Sequence, residues 1–489
     1  MKNKLKIALI IVILTISSFT HLYRINHTYI FNNDEARDVL IIKKMVDTGK
    51  PVLLGPQTSI GNMYLGPIYY YLMTPSLLIS RMDPVGPAIM VGLFGIATSY
   101  LLFFYGSKKY GLLGGTIASL LYSLSPVMLH YSRSSWNPNI IPFFAISLII
   151  SADYKHKKLS WLLFGLCAGV LFQLHYVALA MVFIIGIYKL KQSHQIQDVL
   201  TAILGFFIVS SPFWLFEFRH NFVNSQALFT FLREGSQNAD LNTSYLSRLL
   251  GNLRLLITGV WGSASIALTQ LPNYLIIISA LLLFGVLPFL SQGLYLWYLS
   301  IGSIVIVSIL KEPLNVHYIS FLFPIIALAF ARLSTTNLKT IRLISTFTLL
   351  YVVLHCIPTL RYNLLELNSS QSIRAKETAS YIVAQSDGKP YNVVSTPGTY
   401  ATTVEYFLSL TSNPPKNSFE NLIFDICEGK QCPLSDTTTT VFYGSGATHP
   451  SISQYLGHPA VNEFKTIRTI IKNEPVSYGT WVATMTIDH

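Results

Sequence analysis

Charged residues are scarce in this chain. Of 489 residues only 11% are Asp, Glu, Lys or Arg, where an ordinary soluble domain carries about 25%. With 51% hydrophobic residues and a mean hydropathy of +0.48, the composition excludes a soluble globular protein and describes a polytopic α-helical membrane protein. Cysteine is scarcer still, at four, which excludes a scaffold built on disulfides. Cys167 and Cys356 fall in apolar runs as packing residues, whereas Cys427 and Cys432 share a polar stretch and form a possible disulfide if that stretch faces an oxidising compartment. There is no Walker sequence and no dinucleotide fingerprint, so nothing points to an ATP-driven pump or a nicotinamide enzyme. No internal repeat or low-complexity tract occurs. No Cys, His or carboxylate spacing makes a strong metal signature, and neither metal nor organic cofactor is expected. A cleavage site is missing as well. Lys2, Lys4 and Lys6 precede the apolar run Ile7 to Thr20 without a clear small-residue site after it, which reads as an uncleaved anchor starting on the inside.

The basic excess, 34 Lys and Arg against 22 acids for a net +12, does not imply nucleic acid. The cations fall largely in short gaps between apolar runs, where the positive-inside bias accounts for them. Runs near residues 7–23, 86–105, 111–128, 140–153, 160–174, 176–188, 198–216, 273–290, 294–310, 314–331 and 341–358 predict about eleven spans. The segment 65–80, interrupted by Pro67 and Pro75, reads as an interfacial or re-entrant piece, because that register places Lys108-Lys109 and Lys155, Lys157 and Lys158 inside. Residues 249–266 read as surface-lying. The expectation is a transmembrane body over 1–360, with a first extracytoplasmic loop at 24–85, in a plasma membrane, with the N-terminus cytoplasmic. The tail, 363–489, reads as a small extracytoplasmic α/β domain, with helices at Ser372–Ala384 and Thr402–Leu410 and strands at Tyr391–Val394, Thr439–Phe442 and Thr480–Thr486.

The polar interlude Ile30 to Pro67 concentrates the candidate chemistry. Asp34, Glu35, Arg37 and Asp38 lie within five residues, directly after the first apolar run. Asp34 or Glu35 there can take the proton of an attacking hydroxyl or amine, and the bland alternative is an acid capping the following helix. Arg37 to Thr48 has a helical period and reads as an amphipathic helix along the interface. Arg133 lies in His130-Tyr131-Ser132-Arg133-Ser134-Ser135-Trp136-Asn137, where it can hold a phosphate while Tyr131 or Trp136 stacks on a sugar; headgroup snorkelling explains the same arginine. His175 and His317 stand at outer ends of apolar segments, with Lys311 and Glu312 beside the latter. Ionisable groups at membrane depth mark function or an ordinary satisfied contact.

These motifs resemble the GT-C class of membrane glycosyltransferases, in the superfamily of the protein O-mannosyltransferases and the lipid A aminoarabinose transferase. The resemblance covers about residues 1–360 and rests on Asn33-Asp34-Glu35-Ala36-Arg37, Gly66-Pro67-Ile68-Tyr69-Tyr70-Tyr71, and Ser132-Arg133 with Trp136-Asn137-Pro138-Asn139. Gln173-Leu174-His175-Tyr176 and His317-Tyr318 agree in order. It implies inverting transfer of a sugar from a polyprenyl-phosphate carrier to a lipid, glycan or protein acceptor on the extracytoplasmic face, without metal. Asp34, with Glu35 beside it, would be the base, and Arg37, Arg133, His317 and Lys311 would hold the carrier phosphate. Tyr64, Tyr69, Tyr131, Trp136, Asn137 and His175 would contact substrate. The chain departs from the pattern at Leu65-Gly66, where many relatives place a basic residue before the proline. Two rival classes are a lipid-linked glycan polymerase or ligase and a transporter or flippase; the latter predicts matched helix interruptions in two halves, which the sequence lacks.

Overall fold

In a bilayer the backbone must satisfy its own hydrogen bonds, so the apolar runs become helices. The computed structural model describes residues 2–58, 63–154, 156–192, 195–235, 243–261, 271–312, 314–367, 369–395, 401–416, 420–429, 431–432, 443–444, 469–477 and 479–486. Among these, five helical stretches are long and apolar enough to cross a membrane: Asn3–Leu22, Val85–Leu124, Ile196–Arg219, Val316–Ser334 and Lys339–Ser386. Six shorter apolar stretches join them, at Ile68–Ile79, Asn137–Ala152, Lys158–Leu174, Tyr176–Leu190, Asn273–Phe289 and Gly293–Val307. The chain is a multi-pass membrane protein. The 40-residue helix Val85–Leu124 breaks at Gly111, whose φ of 78° is open to glycine at little cost. Its two arms then pack so closely that a Cβ on Gly106 would stand 2.9 Å from the Gly115 Cα.

Contacts divide the chain into two units. The first comprises Met1–Asn26, Pro51–Arg81 and Val85–Leu367; the second comprises His27–Lys50, Met82–Pro84 and Asn368–His489. Small residues hold the first unit together, as expected where lipid supplies no hydrophobic drive between helices. A Cβ on Gly165 would fall 1.9 Å from the Ala202 carbonyl oxygen, which brings Lys157–Leu174 against Ile196–Arg219. Hydroxyls join the first helix to Val85–Leu124: Ser17 bonds Ser123 at 2.8 Å, and Ser123 bonds Ser99 at 2.7 Å.

The second unit is an α/β layer. Strands β1 (Tyr391–Ser395), β2 (Leu422–Glu428), β3 (Tyr443–Gly444), β4 (Thr469–Ser477) and β5 (Thr480–Thr486) form a mixed sheet in the order β3-β1-β2-β5-β4. The β1–β2 pair is parallel, with Tyr391 opposite Leu422, and the chain crosses between them through the helix Ala401–Ser409. The other pairs are antiparallel. Val394, Ile423, Ala483 and Met485 form the core beside Cys427 and Cys432, which are joined as a disulfide with their Cα atoms 5.3 Å apart. The segment read as a strand at Thr439–Phe442 lies outside the described residues.

Candidate active site

The acidic cluster opens the helix Asn33–Thr48, and its three acids end in three different settings. Glu35, three residues past Asn32, turns back so that its Oε2 accepts the Asn32 N–H at 2.9 Å, satisfying an amide that the first turn leaves without a partner. Glu35 is buried, and its carboxylate belongs to the helix start, where negative charge is also favoured by the helix dipole. Arg37 spans the other two. Its Nη1 donates to Asp34 Oδ1 at 2.7 Å, while Nε and Nη2 donate to Asp38 Oδ1 at 2.9 and 2.7 Å. The Asp38 side chain is fully buried, but that of Asp34 is 49% exposed. Of these acids, Asp34 is the one whose side chain stands open to solvent. The apolar face expected to lie on the membrane surface is instead buried in protein, with Val39, Leu40, Ile41 and Ile42 all inside the fold. Gly49, at φ 64°, ends the helix in the left-handed conformation.

The segment leading into this helix is held by the C-terminal part of the same unit. Phe31 N–H donates to Gln371 Oε1 at 2.8 Å, and Ser369 Oγ donates to the Tyr29 carbonyl at 2.6 Å. The Phe31 ring lies 6.0 Å from Tyr406 and 5.8 Å from Phe407, both edge-on. Tyr406 in turn donates to the Met82 carbonyl at 2.7 Å.

In the first unit the aromatic and histidine candidates converge. Trp136 stands 4.4 Å from His317 between ring centres, Tyr131 stands 6.3 Å from it, and Tyr318 bridges His317 at 4.2 Å to His175 at 4.7 Å. Asn137 fixes the loop beneath them by donating to the Leu174 carbonyl at 2.8 Å, next to His175. Burial pushes the His175 imidazole down to about 4, so the ring is neutral at pH 7.

The basic candidates separate as clearly. Arg133 is buried and donates to the Thr20 carbonyl at 2.5 Å and to the Tyr23 carbonyl. It closes the C-terminal end of the first helix, a favourable place for a cation. Burial pushes it down to about 10, which leaves it charged at neutral pH. Two carboxylates already neutralise Arg37. Lys311 is exposed and makes no ion pair among the described residues.

Tyr64 acts through its backbone. Its N–H donates to Asn224 Oδ1 at 2.6 Å, and its carbonyl accepts from Tyr176 Oη at 2.5 Å and Asn224 Nδ2 at 2.9 Å. Glu217 supports this knot by accepting the Asn224 N–H at 3.1 Å. Asn224 and Glu217 carry no motif that spacing could have exposed; only the fold brings them to Tyr64. The Tyr69 side chain, read as a substrate contact, is fully buried. Gly66 has a steric reason: a Cβ there would fall 2.2 Å from Gln173 Cγ.

The sequence matches no protein-family model and no curated protein. Its fold does have solved counterparts. ArnT from Cupriavidus metallidurans bound to undecaprenyl phosphate superposes with a TM-score of 0.59 at 11% identity, covering 99% of this chain and 97% of that one. The same protein in the apo state gives 0.58 at 10% identity, covering 99% and 98%. At such identity the likeness establishes the fold, a multi-span helical body with a small C-terminal α/β unit, as in ArnT.

Proposed function

We propose that this protein is an inverting glycosyltransferase that moves a sugar from a polyprenyl-phosphate carrier to a lipid, glycan or protein acceptor. The observation that carries the reading is the near end-to-end likeness to an ArnT that is bound to undecaprenyl phosphate. The acceptor oxygen attacks the anomeric carbon, the bond from that carbon to the carrier phosphate oxygen breaks, and the phosphate leaves with the bond's electrons. Asp34 takes the acceptor's proton. Its half-exposed carboxylate supports that role, as the buried positions of Glu35 and Asp38 do not. Lys311 suits the departing phosphate better than Arg37 or Arg133, whose donors are occupied within the protein. The C-terminal unit and the Asp34 loop belong to the extracytoplasmic side in this reading, and the N-terminus to the cytoplasm.

Mass spectrometry of lipids and glycans from cells with and without the protein, repeated with Asp34→Asn, tests the proposal. Loss of the carboxylate removes a general base and lowers transfer by about 10²- to 10⁴-fold. A polyprenyl-phosphate sugar then accumulates while one acceptor loses that sugar. Unchanged carrier and acceptor profiles, with folded protein present, refute it.

A further inference from the structure

Asp425, Cys427 and Cys432 form a cluster in the second unit that the transfer chemistry does not use. All three are buried, and their ligand atoms, one carboxylate oxygen and two sulfurs, lie within 4.8 Å of one another. Asp425 and Cys427 are two residues apart on β2, so strand alternation turns both to one face. Cys432 returns to them through a turn in which Gly429, at φ 82°, and Gln431 are exposed, so the cluster lies just beneath the surface. Asn473 Nδ2 donates to the Cys432 carbonyl at 3.3 Å and holds the far end of that turn.

A carboxylate is a costly group to place there. Its register partners are Val394 on one side and Ala483 on the other, both fully buried and apolar, and Ile423 and Cys427 flank it along the strand. Asp425 Oδ2 stands 3.6 Å from Cys427 Sγ. Around a tetrahedral zinc, an oxygen ligand at about 2.0 Å and a sulfur ligand at about 2.3 Å stand about 3.5 Å apart, so this edge already has the spacing of a metal site. The two sulfurs, bonded to each other here, would separate to about 3.8 Å around the same ion. Cys432 lies outside the strand and can swing that far while β2 stays paired.

We propose that the reduced pair forms, with Asp425, a three-ligand site for a thiophilic divalent cation of the Zn²⁺ class, so that either a disulfide or a metal ion staples the second unit. A dithiol reductant gives the disulfide two electrons and two protons and leaves as its own disulfide. The cation then displaces both thiol protons, and water fills its fourth position. Two thiolates beside one carboxylate favour zinc over magnesium or calcium, which take oxygen ligands.

The test uses the full chain in nanodiscs, reduced with a phosphine that is then removed, and titrated with Co²⁺, whose thiolate complexes absorb in the near ultraviolet. The reduced protein takes up one Co²⁺ per chain with that absorption, Zn²⁺ displaces it, and the oxidised protein shows no such band. Asp425→Ala weakens Co²⁺ binding at least about tenfold. Disulfide formation in the oxidised form of that variant, read by mass spectrometry, reports that its sulfurs still meet. Cys427→Ser with Cys432→Ser abolishes the band, and Cys167→Ser with Cys356→Ser leaves it unchanged. A reduced protein without the band, a band that survives the Cys427 and Cys432 replacements, or undiminished binding in Asp425→Ala overturns the assignment.

Discussion

Replacing Asp38 with Asn separates the two jobs of the acidic cluster. Asp38 is wholly buried and receives two of the Arg37 donors on one oxygen, while Asp34 receives the third from a half-exposed position. Removing the buried partner leaves a guanidinium that is itself 9% exposed with its charge poorly matched, a change that typically costs about 3 to 5 kcal/mol. The Asp34 pair is screened by water on one side, so Asp34→Asn costs about 0 to 1 kcal/mol. Because the chain has two units, a single melting temperature would blur the comparison. Amide hydrogen exchange across Asn33–Thr48 reads it directly. Asp38→Asn lowers protection of that helix about a hundredfold or more, the equivalent of roughly 3 kcal/mol, and Asp34→Asn by about fivefold at most. The double replacement Arg37→Met with Asp38→Asn recovers part of the loss, since no charge is then left buried. Equal protection in the two single variants would refute this division, and so would full transfer activity in Asp34→Asn.

Two further outcomes concern the sheet. Replacing Cys427 and Cys432 with Ser opens a loop of five-residue separation and lowers the stability of the second unit by about 2 kcal/mol, measurable as an earlier denaturant transition in Trp481 fluorescence with the other tryptophans replaced; no shift in the midpoint would count against it. Glu428, paired with Arg374 at 2.7 Å, is raised by burial above the ordinary carboxylate range, more than the arginine lowers it. The folded state therefore takes up its proton at a higher pH than the unfolded chain does, and stability falls as pH rises through the folded value. Glu428→Gln removes that dependence, so the native unit gains on the variant as pH falls from 7 toward 5; parallel melting curves would contradict the sign.

Much of this fold is legible in local pattern. The apolar runs become helices, Gln371–Ser386 and Ala401–Ser409 follow their helical period, and Thr480–Thr486 is the strand its alternation predicts. Strand β2 escapes because Leu422-Ile423-Phe424-Asp425-Ile426-Cys427 is buried on both faces and does not alternate. Strand β4 escapes for the opposite reason: Lys472, Asn473, Glu474 and Pro475 give it the polar, proline-bearing look of an edge. At the site, the sequence places Asp34, Trp136 and His317 as candidates, but the sorting of equals depends on tertiary contacts. Nothing local tells Glu35 from Asp34, or shows that Arg133 caps the first helix. The partners of Tyr29 and Phe31 stand some 340 positions further along the chain, beyond any periodic signal.

Those distant partners have a consequence for biogenesis. The helix carrying Asp34 is made hundreds of residues before Gln371, Tyr406 and Phe407, which hold its approach. Synthesis at roughly 5 to 20 residues per second leaves an interval of tens of seconds in which the approach to that helix lacks those supports. If Asp34 serves as the base, the segment leading into its helix gains its supports only once the chain has been made as far as Phe407.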